Sequence, residues 1–171
     1  MKRSRVIVCT SLLLIFPLSA FCQDDVSGTF TAKSKTTEFW HVYAFWKPRL
    51  MNESKIDLYV LLSDQPIAAD TLPQNDDGVA KMAGLVRDDK IHALELHFEG
   101  DSNKLFAGEE GAVYHGAVAM ARQGQTGAFH YKSVSDDAAT RAGNVSSDKE
   151  TADLRGWSCH ASFKVAVPAK P

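Results

Sequence analysis

Between positions 156 and 167 every second residue is apolar: Trp157, Cys159, Ala161, Phe163, Val165 and Val167 fall on one side, His160, Ser162 and Lys164 on the other. A period of two cannot make the apolar stripe of a helix. It makes a strand with one side in a core. The same period recurs through the chain. At 56–63 it points Ile56, Leu58, Val60 and Leu62 inward, at 90–98 Leu94, Leu96 and Phe98 share a side, and 111–121 presents Tyr114, Val118 and Met120. Shorter strands are expected at 29–33, at 127–134 with Phe129 and Tyr131, and around 143–147 in an otherwise polar stretch from 135 to 153. One segment has helical spacing instead. Val79, Met82, Ala83 and Val86 fall at i, i+3, i+4 and i+7 behind Asp76 or Asp77 as a cap, although Gly78 and Gly84 weaken that helix. Many short strands, turn-rich connectors and one helix near 76–87 predict an all-β, mainly antiparallel sandwich or barrel.

The segment 36–47 is apolar on both sides, with Phe39, His41, Tyr43 and Phe45 alternating against Trp40, Val42, Ala44 and Trp46. That pattern predicts a central strand covered on both faces and ended by Pro48.

The start of the chain reads as an export signal. Lys2, Arg3 and Arg5 precede an apolar run from Val6 to Phe16, Pro17 breaks it, and Ala20 and Cys22 offer a small-x-small cut. The run is about a dozen residues, short of the roughly 20 that span a bilayer, so a cleaved leader is preferred to an anchor. A lipid-modified Cys22 is disfavoured by Phe21 immediately before it. Residues 1–22 are thus read as the signal and 23–171 as a single β-rich domain, exported to a periplasm or beyond the cell, with a bacterium as the preferred source. The precursor has 171 residues, with 19 Lys+Arg against 21 Asp+Glu. Loss of the leader removes three basic and no acidic residues and leaves 149 residues with a formal charge of −5. That balance argues against nucleic acid as a partner, and no later stretch reaches membrane-spanning length. If the cut falls after Cys22, Cys159 is a lone buried thiol. If it falls after Ala20, a Cys22–Cys159 bridge is open.

No strong catalytic or metal signature is present, and no cofactor is expected. Three weaker constellations remain. His97, His115, His130 and His160 lie opposite the bulky rows and could converge on a zinc-like ion, with Glu95, Glu109 or Glu110 adding a carboxylate. No two are spaced as His-x-His, so scattered surface histidines are the favoured account. The acidic turns Asp76-Asp77, Asp88-Asp89, Glu99 to Asn103 and Glu109-Glu110 could offer oxygen ligands to calcium, but none matches the twelve-residue calcium loop. The aromatic strand 39–46 is most simply core. Its alternative use is a sugar- or small-ligand-binding rim built on Trp40, Trp46 and Tyr43.

Three local motifs, Ser27-Gly28-Thr29-Phe30, Tyr43-Ala44-Phe45 and Leu61-Leu62-Ser63-Asp64-Gln65-Pro66, resemble those of a group of secreted bacterial β-rich proteins of unknown function. The resemblance covers about the first third of the mature domain and implies no activity. The expectation for function is therefore an exported, non-enzymatic sandwich that binds a protein or small-molecule partner or serves structurally. A ligand-binding module on the aromatic strand, and a metal-dependent β-barrel enzyme with a His/Glu site, stand as the alternatives.

Overall fold

A computed structural model describes residues 24–49, 52–100, 102–118, 123–135, 137–148 and 154–171. The elements are β1 (Asp25–Ala32), β2 (Lys35–Glu38), β3 (His41–Arg49), β4 (Asn52–Ser63), a short 3-10 turn (Ala69–Thr71) and α1 (Asp76–Arg87). They are followed by β5 (Ala93–Phe98), β6 (Gly111–Tyr114), β7 (Gln123–Gln125), β8 (His130–Ser135), β9 (Thr140–Ser146) and β10 (Trp157–Ala166). Two five-stranded antiparallel sheets form, in the orders β2-β1-β10-β9-β8 and β3-β4-β5-β6-β7. The sandwich expectation holds, and no closed barrel is found among the described residues.

The alternation in β10 does what its period dictates. Trp157, Cys159, Ala161, Phe163 and Val165 join Phe30 and Val145 of the first sheet in the inter-sheet core. Leu58, Val60 and Leu62 of β4 and Leu94, Leu96 and Phe98 of β5 meet them from the second sheet. Burying each such large side chain contributes about 1.5–3 kcal/mol. Trp157 stacks between Phe30 and Phe129, both 5.4 Å away between ring centroids.

The second sheet is covered on its other side as well. α1 lays Met82 and Val86 on Phe45, Tyr59, Leu61, Ala93, Ala112 and Tyr114. The strands buried on both faces are accordingly β4 from Asp57 onward and the whole of β5 and β6.

Three expectations for 36–47 need correction. The segment is not one strand, and β3 is the edge of its sheet, not its centre. The chain changes sheets at Phe39 and Trp40: the Phe39 amide donates to the Gly28 carbonyl in the first sheet, and the Trp40 amide to the Ser63 carbonyl in the second. The crossover also resets the alternation, so Phe39 enters the inter-sheet core beside Val42 while Trp40 is 66 % exposed. Two-sided apolarity reports cover on both faces and says nothing about neighbours in the plane. β3 has the cover because Val42, Ala44 and Trp46 face the first sheet while Tyr43 and Phe45 face the helix layer. Pro48 does not end β3, which runs to Arg49 through a register shift, a placement an edge strand tolerates.

The strand expected over 111–121 stops at Tyr114, and residues 119–122, with Met120, lie outside the described residues. The expected helix is present, but its cap is Asn75, whose side-chain oxygen accepts from the Gly78 amide, and not Asp76 or Asp77. Cys159 is a buried free thiol whose pKa burial pushes up to about 12. Cys22 and the leader lie outside the described residues.

Candidate ligand-binding cleft

The outward face of the second sheet divides in two. α1 covers its apolar half. Past the helix N-terminus the same face turns polar, because alternation sends Asp57 and Tyr59 of β4 and Glu95 and His97 of β5 outward. Lys47 of β3 lies opposite Asp57, and Tyr59 lies opposite His97. The charges form two pairs. Lys47 Nζ lies 3.1 Å from Glu95 Oε1 and 3.8 Å above the Tyr59 ring centroid. Arg49 donates through Nε and a terminal nitrogen to the two Asp57 oxygens, at 2.6 and 3.0 Å. Asp57 also accepts from the Gly100 amide at 2.7 Å and hydrogen-bonds His97 Nε2 at 2.8 Å. Burial alone would raise the Asp57 pKa. The hydrogen bonds from Arg49, His97 and Gly100 outweigh it and hold the carboxyl at about 2.

His97 is 2 % exposed. Its ring is held between Tyr59, 4.2 Å away, and Phe106, 4.7 Å away, and the Arg49 guanidinium lies 4.4 Å from the Phe106 ring centroid. Burial lowers the His97 pKa against the opposing pull of Asp57, so the ring is neutral at pH 7.

A cleft of about 420 Å³ opens between this charged floor and the first turn of α1. Lys47, Arg49 and Tyr59 line it from the sheet, Asn75 and Val79 from the helix end, and Glu109 from the loop before β6. Lys47 Nζ also reaches the Pro73 carbonyl at 3.4 Å, tying the floor to the segment that enters the helix. The floor thus presents Lys47, Arg49 and Tyr59 to the cleft, while Glu95 and Asp57, each 1 % exposed, hold the two cations from behind.

The residues singled out from sequence are dispersed. Trp40 faces solvent, Tyr43 packs under the helix layer with its hydroxyl accepting from the Ile67 amide, and Trp46 faces the inter-sheet core. Trp46 Nε1 donates to the Pro168 carbonyl, and Lys170 Nζ sits 5.2 Å from its ring centroid. These three residues share no platform.

The four histidines do not converge either. His130 and His160 are exposed on the first sheet, each opposite Ser146 on its own side of β9, His97 belongs to the cleft floor, and His115 is buried beside Phe30. No group of three or more His, Cys, Asp or Glu among the described residues is placed to hold a metal ion. Several carboxylates of the acidic turns have other partners. Asp88 and Asp89 pair with Lys90 and Lys35, Glu99 approaches Arg49, and Glu110 accepts from the Ala128 and Phe129 amides.

Glu95 and Glu109, named from sequence as companions to a metal, lie instead beside the cleft. Lys47, Arg49, Asp57 and Tyr59 were not anticipated there. Their one sequence signal is a run of charged residues at outward positions of strands otherwise apolar on both faces. Comparison of the chain with protein-family models, with curated proteins and with solved structures finds no match.

Proposed function

We propose that the chain is an exported binding protein, periplasmic or extracellular, that takes a small hydroxyl-rich ligand of the sugar class in the cleft beside the α1 N-terminus. The observation that carries this reading is the floor of matched ion pairs, Lys47–Glu95 and Arg49–Asp57, held between aromatic rings. The pairs fix Lys47 and Arg49 as oriented donors at the cleft floor, and Glu53 and Asp76 bring carboxylate acceptors to its lining. The Asn75 carboxamide and the Glu109 carboxylate at the walls add groups suited to hydroxyls, and the volume falls within the range of small-molecule sites. The sequence expectation of a sugar-binding rim is thereby moved from the aromatic end of β3 to its Lys47–Arg49 end. The leader pattern at 1–22 supports export, and mass spectrometry of the secreted chain tests it through an N-terminus at Phe21 or Gln23.

Amide chemical shifts, followed while a panel of mono- and disaccharides is added, test the binding reading. The expected result is movement at Tyr59, Asn75, Val79 and Glu109, abolished in Val79→Trp, whose indole fills the cleft. Shifts centred on Trp40, or no shifts with any sugar, would overturn it.

A further inference from the structure

At the other end of α1, about 18 Å along a helix of twelve residues, a second polar cluster closes the sandwich. His92, just before β5, places Nδ1 2.8 Å from Asp64 and Nε2 2.8 Å from Asp89. Two carboxylates thus flank the His92 ring, one at each nitrogen. Asp89 is also bound by Lys35 of β2, at 2.8 Å, so the cluster joins the two sheets. Asp64 is tied further to His92 by the His92 amide at 2.7 Å.

Against this cluster lies His115, its ring centroid 4.3 Å from that of His92 and its other side against Phe30 at 5.2 Å. His115 is 1 % exposed, and its Nδ1 accepts from the Ala117 amide at 3.0 Å, which fixes the neutral tautomer with hydrogen on Nε2. The turn it anchors runs against the helix end. A Cβ on Gly116 would lie 3.2 Å from the Val86 carbonyl oxygen.

We propose that His115 is the trigger of an acid-operated latch: on taking up a proton its ring releases the Ala117 amide, repels His92 and frees the turn at 115–118 from the α1 C-terminus. The added proton lands on the nitrogen that accepts from Ala117, so two N–H groups then point at each other. It also places a positive charge against His92 and near Lys35, both of which oppose it. Burial, then His92, then Lys35 oppose that proton and bring the His115 pKa down to about 4, so the latch is shut at neutral pH and opens in acid. This inference does not depend on what occupies the cleft.

Hydrogen exchange of the Ala117 amide, corrected for intrinsic rate and compared with the Leu96 amide in the centre of the second sheet, is the test. Between pH 6.5 and pH 4 the Ala117 protection should fall about a hundredfold, the ratio set by a ring that titrates near 6.5 when released and near 4 when held. Leu96, which exchanges only when the whole sheet opens, should stay far better protected than Ala117 at both pH values. In His115→Asn the carboxamide oxygen occupies the place of Nδ1 without titrating, and the fall should vanish. Ring nitrogen shifts of the unaltered protein give a second measure, in which His115 gains its proton over the same pH range as Ala117 loses protection. Equal Ala117 protection at both pH values, an unchanged fall in His115→Asn, or Ala117 protection as high as that of Leu96, which would mean that the turn opens only with the whole fold, would overturn the latch.

Discussion

Asp57 shows how much one outward-facing residue can carry. Its carboxylate, 1 % exposed, accepts from Arg49, from the Gly100 amide and from His97, and so connects β3, the turn after β5 and the cleft floor. Replacing it with alanine would take from Arg49, whose side chain is itself mostly buried, its bidentate partner and leave it Glu99 at 3.6 Å, and would leave the His97 Nε2 hydrogen without its acceptor. Such a loss costs about 3–5 kcal/mol. Asp57→Ala should therefore lower the urea midpoint strongly, whereas Trp40→Ala, at a position 66 % exposed, should change stability by less than about 0.5 kcal/mol. Equal effects in the two variants would refute this assignment of buried and exposed roles. The alternation of β4 already sends Asp57 away from Leu58 and Val60, so its side of the sheet is legible in the sequence. Its burial is not. The loop that brings Phe106 over His97 comes from eight or more residues further on, and no period in β5 announces that cover. The same blindness makes His97 and His115 look like surface histidines.

Among the elements, α1 separates what spacing can tell from what packing decides. Its apolar stripe and length follow from positions 79, 82, 83 and 86, and its span Asp76–Arg87 matches that reading closely. The glycines do not behave alike. A Cβ on Gly78 would overlap the Leu72 carbonyl oxygen, so this glycine lets the helix start close against the chain that enters it. A Cβ on Gly84 would meet nothing within 4 Å. Gly84→Ala should therefore stabilise the fold by about 0.5–1 kcal/mol through helix propensity, and Gly78→Ala should destabilise it. Thermal melts of the two variants shifting in the same direction would contradict this packing. Asn75→Ala should cost about 1 kcal/mol through loss of the cap to Gly78, and it should loosen the cleft wall at the same time. The strands show the complementary limit. β10 is readable to its last inward residue, while β7, three residues long, and the switch of sheets at Phe39–Trp40 depend on pairings with distant segments.

Over the whole molecule, two of the three buried histidines among the described residues, His97 and His115, tie the fold to pH in one direction. His97 and His115 both hold pKa values below the ordinary 6.5 because burial disfavours their charged forms. The unfolded chain then binds protons that the folded chain refuses, so stability rises with pH across this range. The contribution is complete above about pH 6.5 and declines as the pH falls. For His115 the decline ends near its folded value of about 4, where the folded ring is protonated too. Each group adds at most about 1.4 kcal/mol per pH unit, so the pair together gives a slope on the order of 2.7 kcal/mol per unit where both titrate only in the unfolded chain. Asp57 and Asp89, held at about 2, add a later decline that begins as the pH drops through their ordinary 3.8 and ends near 2. Free energies of unfolding from urea titrations at pH 7.5, 6, 5 and 4 should accordingly fall at each step below 6.5, well before any paired carboxylate is protonated. A flat profile from pH 7.5 down to 5 would mean that the two rings are not buried in neutral form. If instead the profile falls as expected and His115→Asn flattens only part of it, the remainder belongs to His97 under Phe106, and the cleft floor and the latch at opposite ends of α1 draw on the same physical cost of burying an imidazole.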